Sequence, residues 1–298
     1  MHKSGFINII GRPNVGKSTL MNALVGERMS IITNKPQTTR HRIIGILSGE
    51  DFQLVFSDTP GIINNPNYKM QEAMNSFVHG SFEDADVFVF VTEPNEVYDK
   101  EDNFLQKIGK VEIPVLLVLN KIDTLTKEEA KAWKEKWESL LPTAEIRMIS
   151  ALNKKGTDIL MKRILKNCPQ GPAYYPKDQL TDRPERFFVS EIIREKILLC
   201  YREEIPYSCE VIVESFKEGT TRENKPIVRI SAMIYVSRKS QKVIMLGKEG
   251  RAIKKMATLA RKSIEDWLQT KVFLELRVKI RDNWRDDEKF LKGFGYKS

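Results

Sequence analysis

The sequence predicts an α/β domain, a mostly parallel sheet with helices on both faces, followed by a smaller α+β domain. Three observations carry this. Short apolar runs alternate with amphipathic segments over the first 170 residues, a Pro-, Tyr- and Asp-rich stretch breaks the pattern, and both the pattern and the charge change beyond it. Strands that are apolar along their whole length, rather than at every second residue, belong to parallel sheets buried on both sides. The expected layout is a first domain over 1–170, a linker over 171–186 containing Pro172, Pro176 and Pro184, and a second domain over 187–298.

The first strand, expected over 6–10, runs straight into Gly11-Arg12-Pro13-Asn14-Val15-Gly16-Lys17-Ser18. A loop that wraps a polyphosphate must turn tightly and aim backbone N–H groups inward, so side chains vanish where Gly11 and Gly16 stand. Lys17 would reach the β- and γ-phosphates and the Ser18 hydroxyl would ligate Mg²⁺. A helix over 19–26, opening at Thr19, would add its positive dipole end to the same anion.

A polar stretch, Pro36-Gln37-Thr38-Thr39-Arg40, follows. It supplies a threonine for Mg²⁺, with Thr39 favoured over Thr38. The next strand, over 52–57, ends in Asp58-Thr59-Pro60-Gly61, where Asp58 would hold the metal ion and the Gly61 N–H would meet the γ-phosphate. Strands over 87–92 and 115–120 come next, the second running into Asn120-Lys121-Ile122-Asp123. A carboxylate at Asp123 accepts from both N1–H and the 2-amino group of guanine, and adenine offers neither donor. Lys121 would lie along the base and Asn120 would tie this loop to the phosphate loop. A last strand over 146–150 ends in Ser150-Ala151-Leu152, where the Ala151 N–H would donate to guanine O6. Five motifs in order at strand ends therefore point to GTP and GDP rather than adenine nucleotides. Such sheets bind ligands beyond the carboxyl ends of their strands.

These residues resemble the translation-factor-related class of small GTPases, with a P-loop GTPase fold. Gly-Arg-Pro-Asn-Val-Gly-Lys-Ser, Gln-Thr-Thr-Arg and Asp-Thr-Pro-Gly look most like the Era family. In Ras-like proteins the residue after the Asp-x-x-Gly glycine is a glutamine that orients the attacking water. Here it is Ile62, which cannot position water, so slow intrinsic hydrolysis is expected. The resemblance implies that Asn14 helps to bind K⁺, and that Lys17, Thr39, Gly61 and Asn14 carry hydrolysis.

Beyond the linker the pattern gives a helix over 189–204, strands over 208–216 and 227–235, an apolar run at 243–246, a basic helix over 252–267 and a strand over 272–280. The charge is concentrated here: residues 181–298 hold 26 Lys and Arg against 18 Asp and Glu, and residues 1–180 hold 23 against 22. A basic second domain suits a polyanion, with RNA, DNA and an anionic membrane as candidates. Gly247-Lys248-Glu249-Gly250 followed by Arg251, Lys254 and Lys255 resembles the KH clamp, in which two glycines let a sugar-phosphate backbone approach closely. The preceding helix-strand-strand order suits the type II KH fold. Trp267 is expected in the core; Trp284 and the tail 290–296 would either stack on bases or pack against the domain.

One GTPase domain followed by one KH domain is the layout of the Era family. It implies binding to the 3′ end of 16S rRNA and assistance in maturing the small ribosomal subunit, with DNA not expected as a partner. Composition excludes disordered, collagen-like and membrane-spanning classes, since 41% of residues are hydrophobic and no apolar run nears the roughly 20 residues of a span. Cys168, Cys200 and Cys209 lack metal-ligand spacing and are expected as reduced thiols in a cytoplasm. Two rival readings remain at this point: a nucleotide kept only as a structural ligand of an RNA-binding protein, and peripheral contact with the inner face of the cell membrane.

Overall fold

The computed structural model describes residues 1–63, 65–99 and 101–296. The chain divides into two compact units, one of residues 1–30, 39–64 and 74–182, the other of 31–38, 65–73 and 183–298.

The first unit contains β1 (Lys3–Ile10), α1 (Lys17–Val25), β2 (Ile43–Ser48) and β3 (Phe52–Asp58). After α2 (Lys69–Gly80) come β4 (Val87–Thr92), α3 (Asn103–Gly109), β5 (Val115–Leu119), α4 (Lys127–Leu140), β6 (Glu145–Met148) and α5 (Thr157–Asn167). Six strands form one sheet in the order β2-β3-β1-β4-β5-β6, parallel except for β2. Every residue of β4 and β5 is buried, so helices cover both faces as expected. The register decides where function can sit. Ile9 lies opposite Asp58, Ile10 opposite Phe90 and Thr92 opposite Leu119, so the segments starting at Gly11, Thr59, Glu93 and Asn120 leave one edge at one level.

Three details differ from the sequence expectation. The antiparallel edge strand β2 was not expected; its run 43–48 contains Gly45 and follows directly on a polar loop. Residues 180–181 run along it, with the Ile46 N–H donating to Leu180 O and the Thr181 hydroxyl to Ile44 O. Ile149 and Ser150 lie beyond β6, because Ser150 turns to exchange backbone hydrogen bonds with Lys155. The helix after the phosphate loop starts at Lys17, two residues early.

The second unit contains α6 (Glu185–Cys200), β7 (Cys209–Thr220), β8 (Pro226–Val236), α7 (Lys239–Leu246), α8 (Arg251–Leu268), β9 (Lys271–Ile280) and α9 (Glu288–Gly293). The sheet order is β7-β8-β9, with β7 antiparallel and β9 parallel to β8. One core joins Ile193 and Ile197 of α6, Ala232 and Ile234 of β8, and Met256, Ala260 and Ile264 of α8. α6 begins four residues earlier than expected because Pro184, with φ near its fixed value, caps it. The apolar run 243–246 is the end of a helix rather than extended chain; Gln241 Oε1 accepts the N–H groups of Ser237 and Arg238 and starts it.

Of the two expectations for Trp284 and the tail, packing against the domain is the one met at Trp284 and Tyr296. Trp284 and Tyr296 are buried, the indole N–H donating to Ser208 O and the phenol to Glu210, so neither ring face is free for a base. Trp267 is half-buried, 5.5 Å from the Phe188 ring.

Residues 31–38 and 65–73 are held inside this unit by named side chains. Arg194, paired with Glu191 in a nearly dry setting, donates to Thr38 O, and Lys35 donates to Tyr201 O. Arg285 stacks 4.3 Å from the Tyr68 ring, and the Lys69 N–H donates to Asp286. Among the described residues no helix is long and apolar enough to cross a membrane.

Candidate functional site

The phosphate loop joins β1 to α1. Gly16 caps α1 in a left-handed conformation, and the first N–H groups of the helix, from Lys17 onward, have no acceptor within it. Lys17 is buried, its ammonium donating to the carbonyls of Gly11 at 2.9 Å and Arg12 at 2.8 Å. Burial pulls its pKa down to about 8, against an opposing pull from Asp58 and Glu96.

Three oxygens converge beside it. The Ser18 hydroxyl is 2.6 Å from Asp58 Oδ2 and 2.9 Å from the Thr39 hydroxyl, which lies 3.3 Å from the same carboxylate oxygen. Thr38 does not join them; its hydroxyl donates to Lys35 O. Asp58 is buried, which pushes its carboxyl pKa upward despite the hydrogen bond from Ser18 and the nearby Lys17 charge, and among the described residues its Oδ1 has no hydrogen-bond partner. A buried carboxylate oxygen left unmatched beside two hydroxyls is a hard-oxygen set that suits Mg²⁺. Thr59 anchors its loop by donating to Ile9 O, and Pro60 and Gly61 are buried. Gly61 approaches Pro13 so closely that no side chain fits: a Cβ there would lie 2.5 Å from Pro13 Cγ and 2.7 Å from its nitrogen.

Asn120 ties the loops together. Its amide donates to Val15 O at 2.8 Å, its Oδ1 accepts the Ala151 N–H at 2.9 Å, and its own N–H donates to Thr92 O. The Ala151 N–H, expected on guanine O6, is thus held by Asn120 here, the nearest acceptor for a buried donor. Lys121 donates to Asn14 O and pairs with Glu93. Asp123 is exposed, in a single helical turn over 122–124. Ser150 is buried and Leu152 is 77% exposed. Arg12 does not turn toward these groups: its guanidinium lies against Glu96, Val97, Tyr98 and Asp102, contacts the sequence did not disclose. Five acids within ten residues after β4, namely Glu93, Glu96, Asp99, Glu101 and Asp102, were the available signal.

In the other unit, Gly247 (φ 70°), Glu249 (φ 53°) and Gly250 (φ 74°) turn the chain from α7 into α8. Lys248, Glu249, Arg251, Lys254 and Lys255 are all exposed. Arg251 pairs with Glu249 at 2.6 Å. Sequence reasoning missed the apolar side of this turn. Val243 and Ile244 of α7 are 61% and 52% exposed, an apolar wall beside the cations that suits unpaired bases.

The comparisons with known proteins fall on the same two regions. Residues 6–121 match a family described as 50S ribosome-binding GTPase, and residues 204–285 match the KH domain. The chloroplastic GTPase ERA-like protein of Oryza sativa subsp. japonica is 45% identical, across 99% of this chain and 70% of its own length. GTPase Era of Carboxydothermus hydrogenoformans is 44% identical, across 99% of this chain and 98% of its own. A crystal structure of Era with MgGDPNP and nucleotides 1506–1542 of 16S ribosomal RNA superposes with a TM-score of 0.93. It is 35% identical and covers the whole of both chains.

Proposed function

Since the chain belongs to the Era family of GTPases, we propose that it works as a nucleotide-dependent switch on the 3′ end of small-subunit rRNA, with the labour divided among the residues above. It is a GTP-hydrolysing enzyme that binds guanine nucleotides with Mg²⁺ and binds 16S rRNA. The observation that carries the division is the convergence of Ser18, Thr39 and Asp58 at the carboxyl edge of the sheet, beside the buried Lys17.

Lys17 and the opening N–H groups of α1 hold the β- and γ-phosphates. The hydroxyls of Ser18 and Thr39, with Asp58, hold Mg²⁺, which when bound neutralises phosphate charge. Gly11, Pro13, Val15 and Thr19 shape the loop; Asn120, Lys121, Asp123, Ser150, Ala151 and Leu152 frame the base. Gly61 presents its N–H to the γ-phosphate. Ile62 leaves the attacking water without a side-chain partner, so a K⁺ ion at Asn14 is proposed to supply the missing positive charge. The turn 247–250 with Arg251, Lys254 and Lys255 grips the RNA backbone.

Residues 31–38 and 65–73, which lead up to Thr39 and follow Gly61, belong to the unit that carries the RNA clamp. Ordering Thr39 and Gly61 around a γ-phosphate therefore acts on segments of that unit, and this supports coupling between the two ligands. Coupling is reciprocal: RNA that favours the GTP form must raise GTP affinity by the same factor. Titrating a non-hydrolysable GTP analogue with and without a 16S rRNA 3′-end oligonucleotide tests the switch, and equal affinities would refute it. Subunit maturation and a cytoplasmic location belong to the same proposal. Sedimentation with anionic liposomes at varied salt tests contact with the membrane face.

A further inference from the structure

Arg12 stands inside the phosphate loop, yet every contact of its guanidinium given by the structure is to the segment between β4 and α3. Its Nη1 donates to Val97 O at 2.9 Å and its Nη2 to Asp102 Oδ2 at 2.7 Å. Glu96 lies 4.0 Å from its Nε, and its Cζ sits 3.9 Å from the centre of the Tyr98 ring. That ring is 4% exposed and packs edge-on against Phe90 and 5.1 Å from Trp137, deep in the core between the sheet and α4. A planar, forked cation is the one side chain that satisfies a carbonyl, a carboxylate and an aromatic face at once.

The same segment also reaches the base side of the site. Glu93 pairs with Lys121, which donates to Asn14 O, and Glu96 accepts from the Thr92 hydroxyl while the Thr92 carbonyl accepts the Asn120 N–H. Acids beside a pocket meant for a triphosphate would ordinarily repel it and compete for Lys17. Here Asp102 and Glu93 each face a fixed cation, and Glu96 is largely shielded from solvent.

We propose that residues 93–98, together with Asp102, form a brace for the nucleotide site and that Arg12 is a positioning residue. Its side chain fixes the phosphate loop to this brace through Asp102 and Tyr98 instead of touching nucleotide. The proposal rests on the guanine-nucleotide reading of the site. It differs from a direct γ-phosphate contact in which nucleotides it weakens, and from any direct phosphate contact in its dependence on Asp102. A brace acts on the loop as a whole, so both diphosphate and triphosphate feel its loss, while a nucleoside that uses only the base loops does not.

Asp102 offers a clean partner substitution. Its Oδ1 caps α3 by accepting the N–H groups of Phe104 and Leu105, while Oδ2 takes Arg12. The Asp102→Asn variant keeps the cap and loses the charge, because an asparagine side-chain oxygen accepts the same N–H groups. The experiment measures binding of GDP, a non-hydrolysable GTP analogue and guanosine, in Mg²⁺, to the full chain and to Arg12→Ala, Arg12→Lys, Asp102→Asn and the Arg12→Ala/Asp102→Asn double variant. For Arg12→Ala the GDP and GTP-analogue affinities should both fall about tenfold with guanosine unchanged, since a loop released from its support loses its alignment with the phosphates. Arg12→Lys should recover part of the loss. Asp102→Asn should reproduce part of it, and the double variant should be no worse than Arg12→Ala alone, as expected for residues acting as one unit.

Loss confined to the GTP analogue would place Arg12 on the γ-phosphate and overturn the proposal. Additive losses in the double variant, equal weakening of guanosine, or no loss at all would overturn it as well. A wild-type chain that binds no GDP would remove the nucleotide reading itself, an outcome separable from all of these.

Discussion

Replacing Gly61 by alanine should slow GTP hydrolysis far more than it weakens GDP binding, and the structure sets the scale. Gly61 does not have a left-handed φ, so alanine fits the backbone and the whole cost is steric. Its new methyl would lie 2.5 Å from Pro13 Cγ, 2.7 Å from Pro13 N and 2.8 Å from Pro13 Cα, where ordinary contact begins at 3.4 Å. The two loops must therefore part by roughly 0.6 to 0.9 Å. Overpacking of this kind costs about 1–3 kcal/mol of stability. Which loop yields follows from their ties. The phosphate loop is held by Lys17, Asn120 and Arg12, whereas among the described residues the chain after Thr59 is held by the Thr59 bond to Ile9 O and the exchange between Ile63 and Asn75. The Gly61 segment moves, and its N–H is carried away from the γ-phosphate. A displacement near 1 Å at a reacting centre costs about a hundredfold in rate. Single-turnover phosphate release should fall by about that factor, while GDP affinity stays within about threefold because GDP has no γ-phosphate to lose. Unchanged turnover would refute the reasoning, and so would GDP affinity falling in step with it.

At the other end of the chain, Gly250→Asp adds a carboxylate between Lys248 and Arg251 at φ 74°, with no atom within 4 Å of the new Cβ. Stability should drop by only about 1–2 kcal/mol from the left-handed backbone, while RNA affinity should fall at least tenfold and the slope of log K against log salt should shrink by about one; a filter-binding salt series measures both. Asp123→Asn should weaken GTP about a hundredfold, two charge-assisted hydrogen bonds being lost, and shift preference toward xanthosine triphosphate, read by competition. Lys17 gives a pH dependence. Its pKa in the free protein is about 8, below the ordinary lysine value, because burial disfavours the charge. Phosphate binding favours the charged form, so affinity should be level below pH 8 and fall as pH rises through it, up to tenfold per unit toward pH ~10. The same depression means that Lys17 weakens the free fold below pH 8, a penalty relieved above it, so nucleotide-free stability should move the opposite way in denaturant titrations. Affinity that stays level to pH 10 would show that Lys17 does not carry the phosphate charge.

The chemistry of the nucleotide site was legible because each piece of it is local. A parallel strand buried on both faces is apolar from end to end, and the residue after its last apolar position marks the carboxyl edge. Gly11 and Asn120 each stand at such a boundary and Asp58 one residue past it, and the register brings these positions level. Thr39 was harder to place, since a polar loop has no periodicity; it is the neighbour whose hydroxyl reaches Asp58, while Thr38 turns back on its own loop. β2 was illegible because an edge strand need not be apolar throughout, and its outer partner, residues 180–181, is more than 130 positions away. α7 was illegible because its exposed face carries Val243 and Ile244, which breaks the amphipathic pattern that ordinarily reveals a short helix.

The supports of the site lie beyond local reading for a further reason. Arg12 meets Asp102 across 90 positions, and Arg194 meets Thr38 across 156. Neither contact leaves a local signal of its own in the sequence, Asp102 reading only as the cap of α3; each leaves a charge whose partner the fold must supply. Both cations end on segments next to reacting groups, Arg12 beside the phosphate loop and Arg194 one residue before Thr39. Such residues set alignment rather than touch substrate, so their substitution should change rate and affinity in proportion to loop displacement. Arg194→Ala tests this on the second case. It should raise the Mg²⁺ concentration needed for half-maximal hydrolysis about tenfold, through loss of Thr39 alignment, with GDP affinity in Mg²⁺-free buffer unchanged. A Mg²⁺ requirement equal to that of the wild type would mean that Thr39 is placed by its bonds to Ser18 and Asp58 alone.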